Sequence, residues 1–447
     1  MIKAIIKNGT IIDPKNGVKE KCDILIEGQV IKKIEKNIKE EGNYVIDAKG
    51  MIVSPGFVDV HTNFCDPGVT SREDLKTGSL AAAKGGFTWV VLGSENRPST
   101  SEANVLDYIK NFRMIMPINI YPTAAVTLDR QGAEMSDMQF LKNHGAIGFS
   151  DGLKPIENKE LLRMIMKKSK ELDIPLTLYS EDLTNVKVRG VSAGKVATSL
   201  SIKGASPIEN EENDLKVNLD IAKETGCVLN LAYISTKGSI DLLKEAKKEN
   251  DKLYVEVNPY NIFYTEKLYS SKKLVKKEGL AKLLPPLRTE QDKKAIIDGI
   301  KEGVVDIISS NHMPLTKEEK EGKLKDVLPG AIGLEIVLGL IGEKLVKEKI
   351  LKWNEVIEKI CVTPALLYGL DKYGAGSIDV GNTANLTIFN PDEKWILSEE
   401  DIASKSKNCP LVGESMQGRV KYTICNGRLV YKDVKNAEKM KNDTDNE

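Results

Sequence analysis

The side chains able to do chemistry in this chain are few, and histidine is the scarcest: His61, His144 and His312 are the only three in 447 residues. Two stand in runs that read as the far ends of strands. VDVHTNFCDPG presents His61, Asn63, Cys65 and Asp66, and SSNHMP presents Asn311 and His312. Comparable runs end in Glu95 and Arg97 (LGSENRP), Asp151 (FSDG), Tyr179 (LYSED), Tyr233 (AYIST) and Asn258 (VNPYN). Imidazoles, thiols and carboxylates hold divalent metals or move protons near neutral pH. Three histidines cannot build a four-histidine metal site anywhere, and His144 falls in a helix-to-strand connection, away from the strand ends.

These residues need a frame. Apolar runs at 52–60, 87–92, 118–124, 146–150, 174–179, 227–234, 253–257 and 304–309 read as strands. Between them lie segments such as NKELLRMIMKKSKELD and GSIDLLKEAKKEND, with apolar residues at three and four spacing and charged opposite faces. Eight alternations of strand and helix predict an α/β chain, a parallel (β/α)8 barrel whose working face is the C-terminal ends of its strands. Before and after the barrel, short β segments broken by Gly and Asn-Gly predict one composite β-sandwich from residues 1–52 and 366–432, because neither piece closes a core alone. The barrel then spans 53–365, and 433–447 is expected to be a disordered charged tail.

Composition narrows the function classes. Sixty-five Lys and Arg balance 65 Asp and Glu, which gives no long-range field for nucleic acid or an anionic membrane. Nine arginines against 56 lysines speak for solvated helix faces rather than bidentate anion recognition. The longest apolar stretch, near 331–342, is interrupted by Glu335 and too short for a bilayer, and the first residues lack a secretory apolar core. A cytoplasmic protein is expected. Its six dispersed cysteines form no CxxC pair and read as reduced packing residues.

The run PGFVDVHTNFCDPG followed by SREDLKTGSLAAAKGGFTWVV resembles the opening of dihydroorotases, members of the amidohydrolase superfamily. So do PPLRTEQDKKAI, GVVDIISSNHMP and the closing SKSKNCPLVGESMQGRVKYTICNGRLVY. The resemblance covers nearly the whole chain. It implies a role in pyrimidine biosynthesis and a metal-dependent hydrolase fold, with one or two divalent metals, normally zinc, activating water against a ring amide. It also implies what is missing. The family's paired first-strand histidines are His61 and Asn63 here, its later metal-binding histidines are Tyr179 and Tyr233, and its catalytic Asp is Asn311. Asp151 keeps the carboxylate after strand four. His61 and Asp151 are the residual ligand candidates, and together they would leave most of a zinc ion's coordination to water or amides, so no metal, or weakly held zinc, is expected. Cys65 replaces an Arg that grips the substrate carboxylate, Glu95 a helping Asn, and Leu284 another contact; His312 matches a substrate contact. Glu95 would then repel an anionic substrate.

These departures predict a pseudoenzyme, a non-catalytic structural or regulatory subunit whose vestigial pocket holds His61, Asn63, Cys65, Glu95, Asp151, Tyr179, Tyr233, Asn311 and His312. An amide at position 311 cannot serve as general base; Asp66, Glu95 and Asp151 remain as other possible bases, with Asp66, before Pro67 and Gly68, equally suited to shaping a turn. By resemblance the partner is aspartate carbamoyltransferase, with a homo-oligomer also open. The alternative is an amidohydrolase acting on dihydroorotate or another cyclic amide or ureide with a weak or single metal, Glu95 and Arg97 setting its specificity.

Overall fold

A computed structural model describes residues 3–274 and 277–434. Turn residues divide the start of the chain into β1 (Lys3–Asp13), β2 (Val18–Glu27), β3 (Val30–Glu35), β4 (Tyr44–Asp47) and β5 (Ile52–Pro55). The barrel contributes β6 (Phe57–Thr62), β7 (Phe87–Leu92), β8 (Asn119–Pro122), β9 (Leu176–Tyr179), β12 (Leu229–Ala232), β13 (Leu253–Val257) and β14 (Ile307–Ile308), and a small parallel pair, β10 (Val188–Ser192) with β11 (Ala205–Ser206), follows β9. Beyond the barrel come β15 (Leu386–Ile396), β16 (Ser415–Cys425) and β17 (Arg428–Lys432).

The two chain ends meet in one eight-stranded sheet of order β17-β16-β15-β5-β1-β2-β3, with β4 also paired to β1. The seam is the antiparallel pair β5 and β15, Pro55 opposite Leu386 and Ile52 opposite Phe389. Apolar residues cover both faces of this sheet: Ile6, Ile24 and Ile26 pack with Leu386 and Ile388, while Ile5, Leu25 and Ile38 form a separate cluster. The run expected as one strand over 52–60 is therefore two. It breaks at Gly56, where the chain leaves the sheet for the barrel and runs so close to β7 that a Cβ would lie 2.0 Å from the Thr88 hydroxyl oxygen.

The barrel is parallel throughout. Ladders join β6, β7 and β8, and β9, β12, β13 and β14. The segment expected as strand four is reduced to single bridges from Phe149 to Ala124 and to Leu176, and a bridge from Thr62 to His312 closes the ring. Helices wrap it as the sequence periodicity requires. Asn158 caps helix Lys159–Leu172 by accepting from Glu160 N and Leu161 N, and that helix buries Leu161, Leu162, Ile165, Met166 and Leu172, each contributing about 1.5–3 kcal/mol of apolar burial. Within the barrel the strands carry polar side chains that bond one another: Asn230 donates to Glu256 at 2.7 Å, and Ser309 donates to the same carboxylate. All six cysteines are buried and unpaired. Among the described residues no helix is long and apolar enough to cross a membrane. Of the tail expected over 433–447, Asp433 is instead held by Arg419 and Lys421 at the sheet, and residues from 435 lie outside the described residues.

Candidate functional site

The loops that follow the first five strands each deliver one cation to a single cavity of about 440 Å³. Arg72 follows β6, Arg97 follows β7, Arg130 follows β8, Lys154 follows the fourth strand and Arg189 lies on β10 after β9. Asn63, Cys65, Glu95 and Leu284 share the wall, as do Leu153, Met313 and Leu315. This is the C-terminal face of the barrel, where loops of this fold carry function. Four of the chain's nine arginines converge here, a clustering of which the Lys-rich composition gives no sign. The residues are scattered over more than a hundred positions, and only the closed ring brings them together.

Most of these cations are held by the protein. Arg72 pairs with Glu319, its Nε 2.8 Å from Oε2. Arg189 donates to Glu181 through Nε at 2.9 Å and Nη2 at 2.7 Å, and lies over the Tyr179 ring. Arg130 donates from Nε to the Asp151 carbonyl and faces Glu95 at 3.9 Å. Glu95 reaches that position because residue 152 is glycine, with φ +64° and space where a Cβ would fall 1.8 Å from Glu95 Oε1. The repulsion expected from Glu95 is thus offset by Arg130 and outnumbered by the surrounding cations. Among the described residues, Arg97 and Lys154 join no ion pair. Burial, then the charges of Arg130, Arg189 and Arg97, push the Lys154 ammonium below its ordinary range, with Asp151 opposing.

Beneath the cavity stands His61, buried, with Glu256 Oε1 3.6 Å from its Nδ1 and the Tyr233 ring tilted against it at 4.6 Å. Neither ring nitrogen has a hydrogen-bond partner. Burial disfavours the imidazolium, but Glu256, assisted by Glu95 and Asp59, outweighs it and raises the affinity for a proton. Asp59 and Glu256 were missed from the sequence because both lie inside strands rather than at their ends. Asp59 is held by Ser310 N at 2.7 Å and the Ser310 hydroxyl at 2.6 Å.

Several sequence candidates turn out to be occupied elsewhere. Asp151, a residual metal candidate, accepts from Val126 N at 2.9 Å, Thr127 N at 3.2 Å and the Thr127 hydroxyl, so its carboxylate organises the loop after β8. His312, which matches a family substrate contact but equally suits a structural role, is fully buried and does not line the cavity. Its Nδ1 accepts from Gly333 N at 3.2 Å, leaving the proton on Nε2, 3.6 Å from the buried Glu73. Burial opposes ionisation of Glu73, yet His312, Ser404 and Thr77 together hold its carboxyl below the usual range. Asn63 accepts from Cys65 N at 2.8 Å, closing a turn. Asp66 also serves the turn, accepting from Leu75 N and the Tyr108 hydroxyl. Asn311 donates to the Leu284 carbonyl at 2.8 Å, and its Oδ1 is buried without a partner. Tyr179 and Tyr233 pack with Leu153, Ala232 and Leu284, and burial drives both hydroxyls far above the ordinary tyrosine range. Asn258 caps the short helix Pro259–Phe263. His144 sits at the foot of the barrel against Asp107 at 3.1 Å.

This donor set does not fit a divalent metal. Among the described residues no group of three or more His, Cys, Asp and Glu side chains could hold one. Burial pushes the Cys65 thiol up to about 12. His61 stays an isolated imidazole whose neighbour is a carboxylate already bonded to Asn230 and Ser309.

The fold has close counterparts. The L-hydantoinase (dihydropyrimidinase) of Arthrobacter aurescens superposes with a TM-score of 0.85 at 21% identity, covering 97% of this chain and 96% of that one. The dihydropyrimidinase of Brevibacillus agri gives 0.83 at 19%, with 96% and 95% covered. The architecture is that of the metal-dependent hydrolase barrels, with a composite β region built from both chain ends. Residues 50–239 match the family described as dihydro-orotase-like. A dihydroorotase of Clostridium acetobutylicum is 39% identical over 431 residues, 96% of this chain and 99% of that protein. One of Aquifex aeolicus is 35% identical over 434 residues, 97% and 100%. The chain belongs to the dihydroorotase family.

Proposed function

We propose that this dihydroorotase-family chain serves pyrimidine biosynthesis in the cytoplasm as a binding and structural barrel, one that does not activate water on a metal. The observation that carries this is the donor set: one imidazole at the mouth, Asp151 spent on backbone amides, and no three-ligand group among the described residues. A catalytic zinc site takes three protein ligands and an open position. Aspartate carbamoyltransferase is the partner that the sequence resemblance suggests for such a subunit.

A second reading, hydrolysis of dihydroorotate or another cyclic amide, has the names of the relatives behind it, since dihydroorotases 35–39% identical extend over nearly the whole chain. The comparisons favour this reading, and the donor geometry favours the first. In the second, His61 backed by Glu256 would take the proton from water, and the cationic wall would hold the substrate anion. The test is turnover of dihydroorotate, and cyclisation of carbamoyl aspartate, by purified protein supplied with excess zinc. The first reading expects no rate above a protein-free blank and a stoichiometric complex with the transferase in a pull-down. Turnover abolished by His61→Ala establishes the second and ends the first.

A further inference from the structure

We propose that the cavity at the barrel mouth is a site for a small organic phosphate. The proposal deepens the binding reading above and is independent of whether any hydrolysis occurs. Three of the five lining cations face carboxylates of the protein: Arg72 with Glu319, Arg130 with Glu95, and Arg189 with Glu181. Asp151 lies behind Arg130 with both oxygens taken by Val126 and Thr127. That leaves Arg97 and Lys154, both exposed and in no ion pair among the described residues. A monocarboxylate would balance one of them; a phosphate monoester, carrying close to two charges near neutrality, balances both. Guanidinium forks match phosphate oxygens in geometry as well as charge. Beside the polar Asn63, Asn96 and Glu95, the wall offers Leu153, Leu284, Met313, Leu315 and Leu328 to an organic body, and the volume lies within the usual range for small-molecule pockets.

Burial first, and then the neighbouring charges of Arg130, Arg189 and Arg97 against Asp151, disfavour the Lys154 ammonium. An anion placed among them relieves that repulsion. A competing cationic cavity of about 700 Å³ opens at the foot of the barrel, lined by Lys110, Arg113, Lys142, Lys170, Lys252 and Lys372. Three of these lysines close helices, where cations meet the C-terminal dipole. It serves as the control.

The experiment is calorimetric titration of the full chain with phenyl phosphate, benzoate, inorganic phosphate and dihydroorotate at fixed ionic strength. Phenyl phosphate is expected to bind at least roughly tenfold more tightly than benzoate or dihydroorotate, the worth of one additional charge-assisted contact. Arg97→Ala/Lys154→Ala should weaken phenyl phosphate by roughly tenfold or more, whereas Lys170→Ala/Lys372→Ala at the foot should leave it unchanged. The four substituted side chains are exposed, so the variants keep the parent fold, checked by circular dichroism. No binding by the parent chain, benzoate or dihydroorotate binding as tightly as phenyl phosphate, or full affinity in Arg97→Ala/Lys154→Ala overturns the proposal. The turnover assay is read separately, so failure here is distinguishable from failure of the binding reading.

Discussion

Adding zinc to the chelator-treated protein is expected to leave its melting temperature where it was. The magnitude follows from the donors. A site with three protein ligands and a Kd of ~1 μM would, at ~100 μM zinc, stabilise the fold by about 2.7 kcal/mol. With an unfolding entropy near 2.1 cal/mol/K per residue, a chain of 447 residues converts that into a rise of about 3 °C. Near the mouth of this barrel His61 is the one imidazole, Asp151 is bonded to Val126 and Thr127, Glu95 faces Arg130, Glu256 is bonded to Asn230 and Ser309, and Asn311 and the two tyrosines are neutral. A lone imidazole with a Kd of ~1 mM yields under about 0.1 kcal/mol at the same zinc concentration, a shift too small to resolve. The assay is thermal unfolding with and without zinc, paired with elemental analysis after dialysis. A rise of about 3 °C that vanishes in His61→Ala, together with close to one zinc retained per chain, would refute the donor argument.

Gly152→Ala places a Cβ against the Glu95 carboxylate at a left-handed φ, and urea unfolding should show a loss of about 2–3 kcal/mol; a change within experimental error would mean that Glu95 moves freely. Burial depresses the Lys320 ammonium to about 7, whereas in the unfolded chain it titrates near ~10.4, so between those values only the unfolded state holds the proton and stability climbs with pH by up to about 1.4 kcal/mol per unit. The Lys282 and Leu328 carbonyls that accept from Lys320 hold the charged form and temper this slope. Lys320→Met should flatten unfolding free energy against pH over that window, and parallel slopes for parent and variant would contradict it. Arg288→Met removes the guanidinium 3.5 Å from the buried Glu211 and should cost about 3 kcal/mol. Adding Glu211→Gln should recover part of this loss, and simple additivity of the two variants in urea unfolding would deny the pair.

Strand periodicity was legible because this barrel alternates apolar runs with amphipathic helices, and seven of the eight expected strands hold ladder positions. The eighth, around Phe149, keeps only isolated bridges. The pairing of the two chain ends was legible because each is a β segment too small to close a core alone. Local patterning did not mark where β5 ends and β6 begins, because Ile52–Pro55 and Phe57–Thr62 are fully buried and the break depends on the approach of Thr88. The scarcity of imidazoles was plain in the sequence. Side-chain direction was not: His312 faces Glu73 and Gly333, and Asp151 curls onto the loop after β8, for reasons set by partners 21 to 239 positions away. The arginine ring was invisible for the same reason. Arg72, Arg97, Arg130 and Arg189 share no spacing, and only barrel closure makes them neighbours.

The seam between β5 and β15 has a consequence for biosynthesis. During translation Ile52–Pro55 leaves the ribosome long before Leu386–Ile396, so one flank of the nascent sheet stays without its ladder partner until almost the entire polypeptide has been made. A ribosome stalled short of residue 386 would release a fragment carrying an open, apolar strand edge beside Phe57, a form suited to self-association and to capture by chaperones or proteases.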